Sequence, residues 1–268
     1  MPYRFQSLKG VYRYLDLVFN KHKKNWDTVI CICGAVGVGK SNLALHMLEY
    51  WNKKLYGKVS KSDIKHVCLD SVGFLHDLAD CKQYEMTIYD EAGELSSRNA
   101  MNKLNKMIMV TYQIIRADKI FTVLILPDIW YLDSYFRNTR VKGLFVVSKR
   151  GKVAFWNYQK LRKIIDLNQS RNIKNYWVTP PNFTDSYPMY KGILMEEYEK
   201  LKAKKTSEAR QKLKEVVDEN GNEIRDLKIN AAKKMSDLGL THDSIASCLN
   251  VSRRTIGNYI KEYDSVAG

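Results

Sequence analysis

One stretch limits the possible folds more than any other: residues 31–41, CICGAVGVGKS. A β-rich apolar run at 28–33 leads in. Glycines follow at 34, 37 and 39. From Lys40, Leu43, Ala44, Met47, Leu48 and Trp51 recur at helical spacing until Gly57, a residue that commonly ends helices. The segment Gly34-Ala-Val-Gly37-Val-Gly39-Lys40-Ser41 satisfies G-x-x-x-x-G-K-[ST] in full. Glycines let a backbone wrap an anion with its N–H groups turned inward, and the helix that follows presents its positive end to the same point. A strand–loop–helix of this composition predicts a triphosphate site and an α/β domain around it. Gly34, Ala35, Gly37, Val38, Gly39, Lys40, Ser41 and Asn42 are its expected lining. Lys40 would meet the terminal phosphates, and the Ser41 hydroxyl would meet Mg²⁺.

Residues 26–190 are expected to form that domain, with residues 1–25 as an N-terminal helix before it. Residues 7–24 have an amphipathic helical pattern. Residues 66–69 (HVCL), 86–90 (MTIYD), 120–126 (IFTVLIL) and 143–147 predict further strands, and 153–156 predicts one paired back across SKRGK. Helices are expected at 72–78 and 101–116. Apolar strands alternating with helices predict a parallel sheet covered on both faces.

The MTIYD strand supplies the partner of the loop. Its terminal Asp90 is expected to complete a Mg²⁺ site with Ser41. Glu91, next in the chain, stands where a carboxylate can orient and deprotonate an attacking water. That pairing favours ATP hydrolysis over phosphoryl transfer to a small molecule. No N-K-x-D segment for reading guanine occurs; Asn102-Lys103-Leu104-Asn105 lacks the aspartate.

These two motifs resemble the additional-strand P-loop ATPases, the group of the RecA-like and AAA+ proteins. The stretch YDEAGE at 89–94, Arg98, and LILPDIWYLDSYFRNTRVKGLFVV further on resemble the HerA/FtsK clade, with its zonula-occludens-toxin-like ATPases of phages and mobile elements. The resemblance covers about residues 26–150. It implies a homo-oligomer, a ring (a hexamer among the forms) or a filament, in which a neighbour inserts an arginine at the γ-phosphate. Arg98, Arg116, Arg137 and Arg140 are the candidates, with Arg137 and Arg140 placed at the C-terminal sheet edge. The clade commonly ends its fourth strand in a polar sensor such as glutamine; here Leu126-Pro127-Asp128 stands instead.

Composition adds a partner. The net charge is +15; residues 191–268 carry 15 Lys/Arg against 13 Asp/Glu, which leaves +13 for residues 1–190. Such an excess favours a polyanion. The five cysteines suit buried packing in a cytosolic protein, host cytoplasm for a viral one, and none stands in a metal-binding spacing. No apolar run is long enough for a membrane span, so no membrane partner is expected.

Beyond an irregular aromatic and proline-containing stretch at 170–190, residues 191–223 predict a charged linker helix broken at Gly221. Residues 224–268 predict a separate three-helix unit. Its first helix closes at Gly239, Thr241 caps the second, the turn falls at Asn250, and Ser252 caps the third. This resembles the helix-turn-helix of resolvases, transposases and phage regulators, where the third helix enters the major groove. Ser252, Arg253, Arg254, Thr255, Asn258 and Lys261 would then face double-stranded DNA, since arginine suits guanine and asparagine adenine. A docking module for protein is the alternative.

Together these features predict a DNA-associated ATPase of a virus, plasmid or mobile element, acting as a motor or assembly. An ATP-dependent switch for transposition or replication, an ATP-tuned transcription regulator and a small-molecule kinase are the other readings.

Overall fold

The computed structural model describes residues 8–22, 27–90, 118–132 and 134–267. The chain divides into two compact units, Met1–Lys202 and Ala203–Gly268. Among the described residues no helix is long and apolar enough to cross a membrane.

The first unit is α/β. Strands β1 (Thr28–Cys33), β2 (Val67–Cys68), β3 (Met86–Asp90), β4 (Phe121–Leu126), β5 (Val141–Lys149), β6 (Lys152–Asn157) and β7 (Phe183–Ser186) form one sheet in the order β2-β3-β4-β1-β5-β6-β7. The first five lie parallel, and β6 and β7 add antiparallel at one side. β4 lies between β1 and β3, so the strand that feeds the glycine loop does not pair with the strand that ends in Asp90.

The period-2 alternation of strands explains the two cores. Ile30, Ile32, Ile88, Val123, Ile125, Phe145 and Val147 face one side, under helices α1 (Lys9–His22) and α2 (Lys40–Tyr56). Val29, Cys31, Cys33, Tyr89, Leu124, Leu126, Leu144 and Val146 face the other, under α3 (Ser71–Asp80), α4 (Ser134–Thr139) and α5 (Tyr158–Arg171). Every residue of β1, β3 and β4 is buried. Trp51 and Trp156 are fully buried, one in each core. Burying each Val, Leu, Ile or Phe side chain of these cores is worth roughly 1.5–3 kcal/mol.

Cys31, Cys33, Cys68 and Cys81 are buried and unbridged. Burial pushes the Cys31 and Cys33 thiols well above their ordinary range.

Two stretches were less regular in sequence than in structure. Residues 158–171, read without an element, form α5, capped by Asn157 accepting from Lys160 N. The stretch 170–190 contains β7, whose Asp185 carboxylate accepts hydrogen bonds from the Gly10 and Val11 amides at the start of α1. The predicted helix at 101–116 lies outside the described residues.

The linker helix is longer than expected. Helix α6 runs unbroken from Leu194 to Asp237, through Gly221, so neither Gly221 nor residue 224 marks a boundary. One interior glycine costs a helix only about 1 kcal/mol. The second unit comprises the later part of α6 with α7 (His242–Leu249) and α8 (Arg253–Ala267). Its small core is Ala232, Ile245, Ala246 and Ile256, with Leu249, Val251 and Ile260 packed against it. Thr241 accepts from the Ser244 amide at the start of α7. Asn250 takes the left-handed conformation at its end (φ 50°), and Gly239 does so after α6 (φ 82°). These are the turn positions the sequence indicated.

Candidate functional site

The site forms at the carboxyl ends of β1 and β3. Strand periodicity turns Asp90 to the same side as Ile88, and that is the α2 side. The loop after β1 folds back over this end of the sheet. Gly34, Gly37 and Gly39 all have positive φ, at 148°, 78° and 96°. Gly34 is constrained twice, because a Cβ there would lie 2.5 Å from the Val147 carbonyl oxygen. Its amide donates to the Pro127 carbonyl beyond β4, which ties the loop to the neighbouring strand.

Lys40 begins α2 and curls back over the loop, its Nζ donating to the carbonyls of Gly34 (2.7 Å) and Ala35 (2.8 Å). Burial lowers its pKa, opposed by Asp90. Ser41 Oγ donates to Asp90 Oδ2 at 2.6 Å. Asp90 is buried, and Tyr198 near the start of α6 donates to the same oxygen at 2.7 Å. Two oxygens of the kind a hard divalent cation prefers, Ser41 Oγ and Asp90 Oδ2, thus meet at the helix N-terminus. Among the described residues this buried carboxylate oxygen meets hydroxyl donors, a setting that fits a ligand for Mg²⁺.

A segment far along the chain closes over α2. Tyr187 donates its hydroxyl to the Gly39 carbonyl (3.0 Å), and the Tyr190 amide donates to Asn42 Oδ1 (3.0 Å). His46 Nε2 meets the Pro188 carbonyl at 3.1 Å. Tyr187, Tyr190, Leu194 and Tyr198 are buried in the core under this face. Burial, with the nearby Asp90 charge second, raises the Tyr198 pKa, so its hydroxyl keeps its proton and donates. At the β5–β6 turn, Arg150 Nε donates to the Gly37 carbonyl at 3.1 Å.

The loop residues, Ser41, Asn42 and Asp90 are therefore brought together as expected from the sequence. Val38 packs at the loop against the core. Glu91 lies outside the described residues, as do Arg98 and Arg116. The two remaining arginines stand elsewhere than expected. Arg137 on α4 is buried; its guanidinium donates to the Leu132 carbonyl (3.1 Å) and lies over the Trp130 ring (4.6 Å). Held this way it is an internal brace, not a projecting side chain. Arg140 precedes β5, whose register sets Val141 beside Val29, and its Nη1 lies 3.7 Å from Asp27 Oδ2. It therefore sits at the amino ends of the strands, opposite the loop. Asp128 caps a single 3₁₀ turn, accepting from the Trp130 amide (3.2 Å) and from the Tyr176 hydroxyl.

Sequence reasoning missed Tyr187, Tyr190, Tyr198 and Arg150. Only the aromatic density of 176–198 hinted at the first three. The Arg150 signal was SKRGK, read only as a turn.

In the second unit Arg254, Asn258 and Lys261 are exposed at i, i+4 and i+7 of α8, one stripe of the helix. Arg253 is exposed and pairs with Asp243 at 3.3 Å. Ser252 is a capping residue, accepting from the Thr255 amide (3.1 Å) and sharing a hydrogen bond with the Thr255 hydroxyl.

Compared with known proteins, the chain matches no protein-family model and no curated protein.

Proposed function

We propose that this chain is an ATPase that works on double-stranded DNA, an additional-strand P-loop protein akin to the HerA/FtsK clade. The observation that carries the reading is the Ser41–Asp90 contact beneath a loop of three positive-φ glycines, with Lys40 folded over it. The position of β4 between β1 and β3 supports the additional-strand assignment.

In this reading the loop amides and the N-terminus of α2 hold the phosphates of ATP. Lys40 swings from the Gly34 and Ala35 carbonyls to the β/γ-phosphates. Ser41 and Asp90 hold Mg²⁺, which when bound neutralises charge on the phosphate oxygens. Arg150, already at Gly37, adds a second cation beside Lys40 at the loop. Glu91 takes a proton from the attacking water. The arginine supplied by a neighbouring copy of a ring or filament is left to Arg98 or Arg116, because Arg137 is braced internally and Arg140 stands at the far edge of the sheet.

The tail gives the DNA part of the proposal. Arg254, Asn258 and Lys261 form an exposed stripe on α8, with Ser252 and Thr255 spent on the cap. The +13 excess over residues 1–190 supplies sequence-independent attraction to phosphate. A stripe of base-reading type also favours a second reading. There the chain is a switch that times an assembly at a fixed DNA site, in transposition, replication or transcription, without moving along it.

The Glu91→Gln protein tests the enzyme. It should bind ATP as the parent does and lose hydrolysis by roughly 10²- to 10⁴-fold, the usual worth of a general base. Unchanged turnover would assign the base elsewhere.

A further inference from the structure

A second group of chemically capable side chains lies at the β2 side of the sheet, apart from the glycine loop. His66 ends the 3₁₀ turn before β2, Asp77 and Cys81 stand four apart at the end of α3, and Glu85 precedes β3. His66, Cys81 and Glu85 are buried, and the Asp77 side chain is only 9% exposed. His66 Nδ1 is 2.9 Å from Asp77 Oδ1 and 3.7 Å from Cys81 Sγ; Cys81 Sγ is 3.7 Å from Asp77 Oδ2. One ligand atom from each of His66, Cys81 and Glu85 lies within 4.8 Å of the others.

We propose that this cluster binds a thiophilic divalent cation of the zinc class, with His66 Nδ1, Asp77 and Cys81 as ligands.

The distances support it. Zinc bonds of about 2.0–2.3 Å set tetrahedral ligand atoms roughly 3.3–3.8 Å apart. Cys81 Sγ already stands at that length from His66 Nδ1 and from Asp77 Oδ2. The His66 Nδ1 contact to the other carboxylate oxygen, Asp77 Oδ1, is a hydrogen bond that gives way when Nδ1 becomes a ligand. The outer surroundings are those of a metal-bound histidine, whose second nitrogen normally faces a carboxylate. His66 Nε2 stands 3.8 Å from Glu85 Oε2. Thr87 Oγ1 donates to Asp77 Oδ2 (2.5 Å), and Glu85 accepts from the Tyr56 hydroxyl (2.5 Å) and the Lys82 amide (2.7 Å). Both carboxylates are thereby held in place.

Charge argues the same way. Among the described residues, His66 is the one basic side chain paired with either carboxylate. Two carboxylates thus stand against one imidazole in a site shielded from water, where a cation would be matched by oxygen donors. Binding balances simply. The Cys81 S–H bond breaks, its proton leaves to solvent, and a metal–sulfur bond forms. The imidazole exchanges its Nδ1 proton for one on Nε2, facing Glu85, with no net change. A dication with one thiolate and the Asp77 carboxylate is then neutral.

The sequence showed no such site because the spacings, 11 from His66 to Asp77 and 4 from Asp77 to Cys81, match no familiar ligand pattern.

The test uses the full chain, purified without a metal-chelating tag. Metal content is measured by atomic emission. The chelator-stripped protein is then titrated with Co²⁺, read by its thiolate charge-transfer absorption. The expected results are one bound metal per chain and a band that saturates at one Co²⁺. Cys81→Ser should lose the band, Cys248→Ser should keep it, and Glu85→Gln should weaken Co²⁺ binding roughly 10- to 100-fold. Absence of both copurified metal and a Co²⁺ band in the folded parent chain overturns the proposal. So does a band that persists in Cys81→Ser.

Discussion

The glycine loop and the C-terminal helices use opposite means to present chemistry. At the loop the groups of the proposed site are backbone amides and a buried carboxylate, and each is fixed by the fold itself. Gly34 has no room for a Cβ, and Asp90 is reached by hydroxyls from two distant segments. On α8 the polar side chains are exposed, and a core of four buried residues holds them up. A change at the loop therefore damages conformation and chemistry together. On α8 the two can be separated, because Arg254 and Ile256 lie two positions apart on different faces.

The largest effect that sharpens this contrast should come from Gly34→Val. Its side chain would meet the Val147 carbonyl in a backbone region that disfavours β-branched residues. Nucleotide binding, read with a fluorescent analogue, should fall at least about 100-fold, the equivalent of roughly 2.7 kcal/mol. Retained binding would mean the loop is not the site.

Ile256→Ala comes next. It should remove roughly 2–5 kcal/mol from the small core, enough to unfold the second unit, while nucleotide binding persists. Circular dichroism and hydrogen exchange over residues 242–267 would report it.

Arg254→Ala should leave both units folded and lower duplex affinity by about 1–3 kcal/mol, with relaxed sequence preference. An unchanged affinity would favour a protein-docking role for the tail.

The smallest effects separate two arginines. Arg150→Ala removes a cation hydrogen-bonded at the loop and should raise the ATP dissociation constant severalfold, about 1 kcal/mol. Arg140→Ala breaks a pair with Asp27 at the far edge and should cost at most about 1 kcal/mol of stability, with ATP affinity unaltered.

Legibility in the sequence followed the same division. Features encoded within a few residues were readable: the glycine loop and its helix, the strand ending in Asp90, and the caps and turns at Gly57, Thr241, Asn250 and Ser252. Contacts that depend on sheet order were not. Tyr198 reaches Asp90 across 108 residues, and Arg150 reaches Gly37 across 113. Arg140 was assigned to the wrong end of the sheet because it follows β4. The next parallel strand, β5 beside β1, must begin again at the amino edge, and Arg140 lies before that beginning. Gly221 was weighed as a breaker by its local propensity, yet α6 continues through it. His66, Asp77, Cys81 and Glu85 each read as isolated residues until β2, α3 and β3 brought them together.

The most direct test of the proposed activity is steady-state ATP turnover by the full chain with Mg²⁺, with and without duplex DNA. The account predicts hydrolysis that requires Mg²⁺ and rises when duplex is added. A chain that hydrolyses no ATP, or whose turnover is the same with and without DNA, would contradict it.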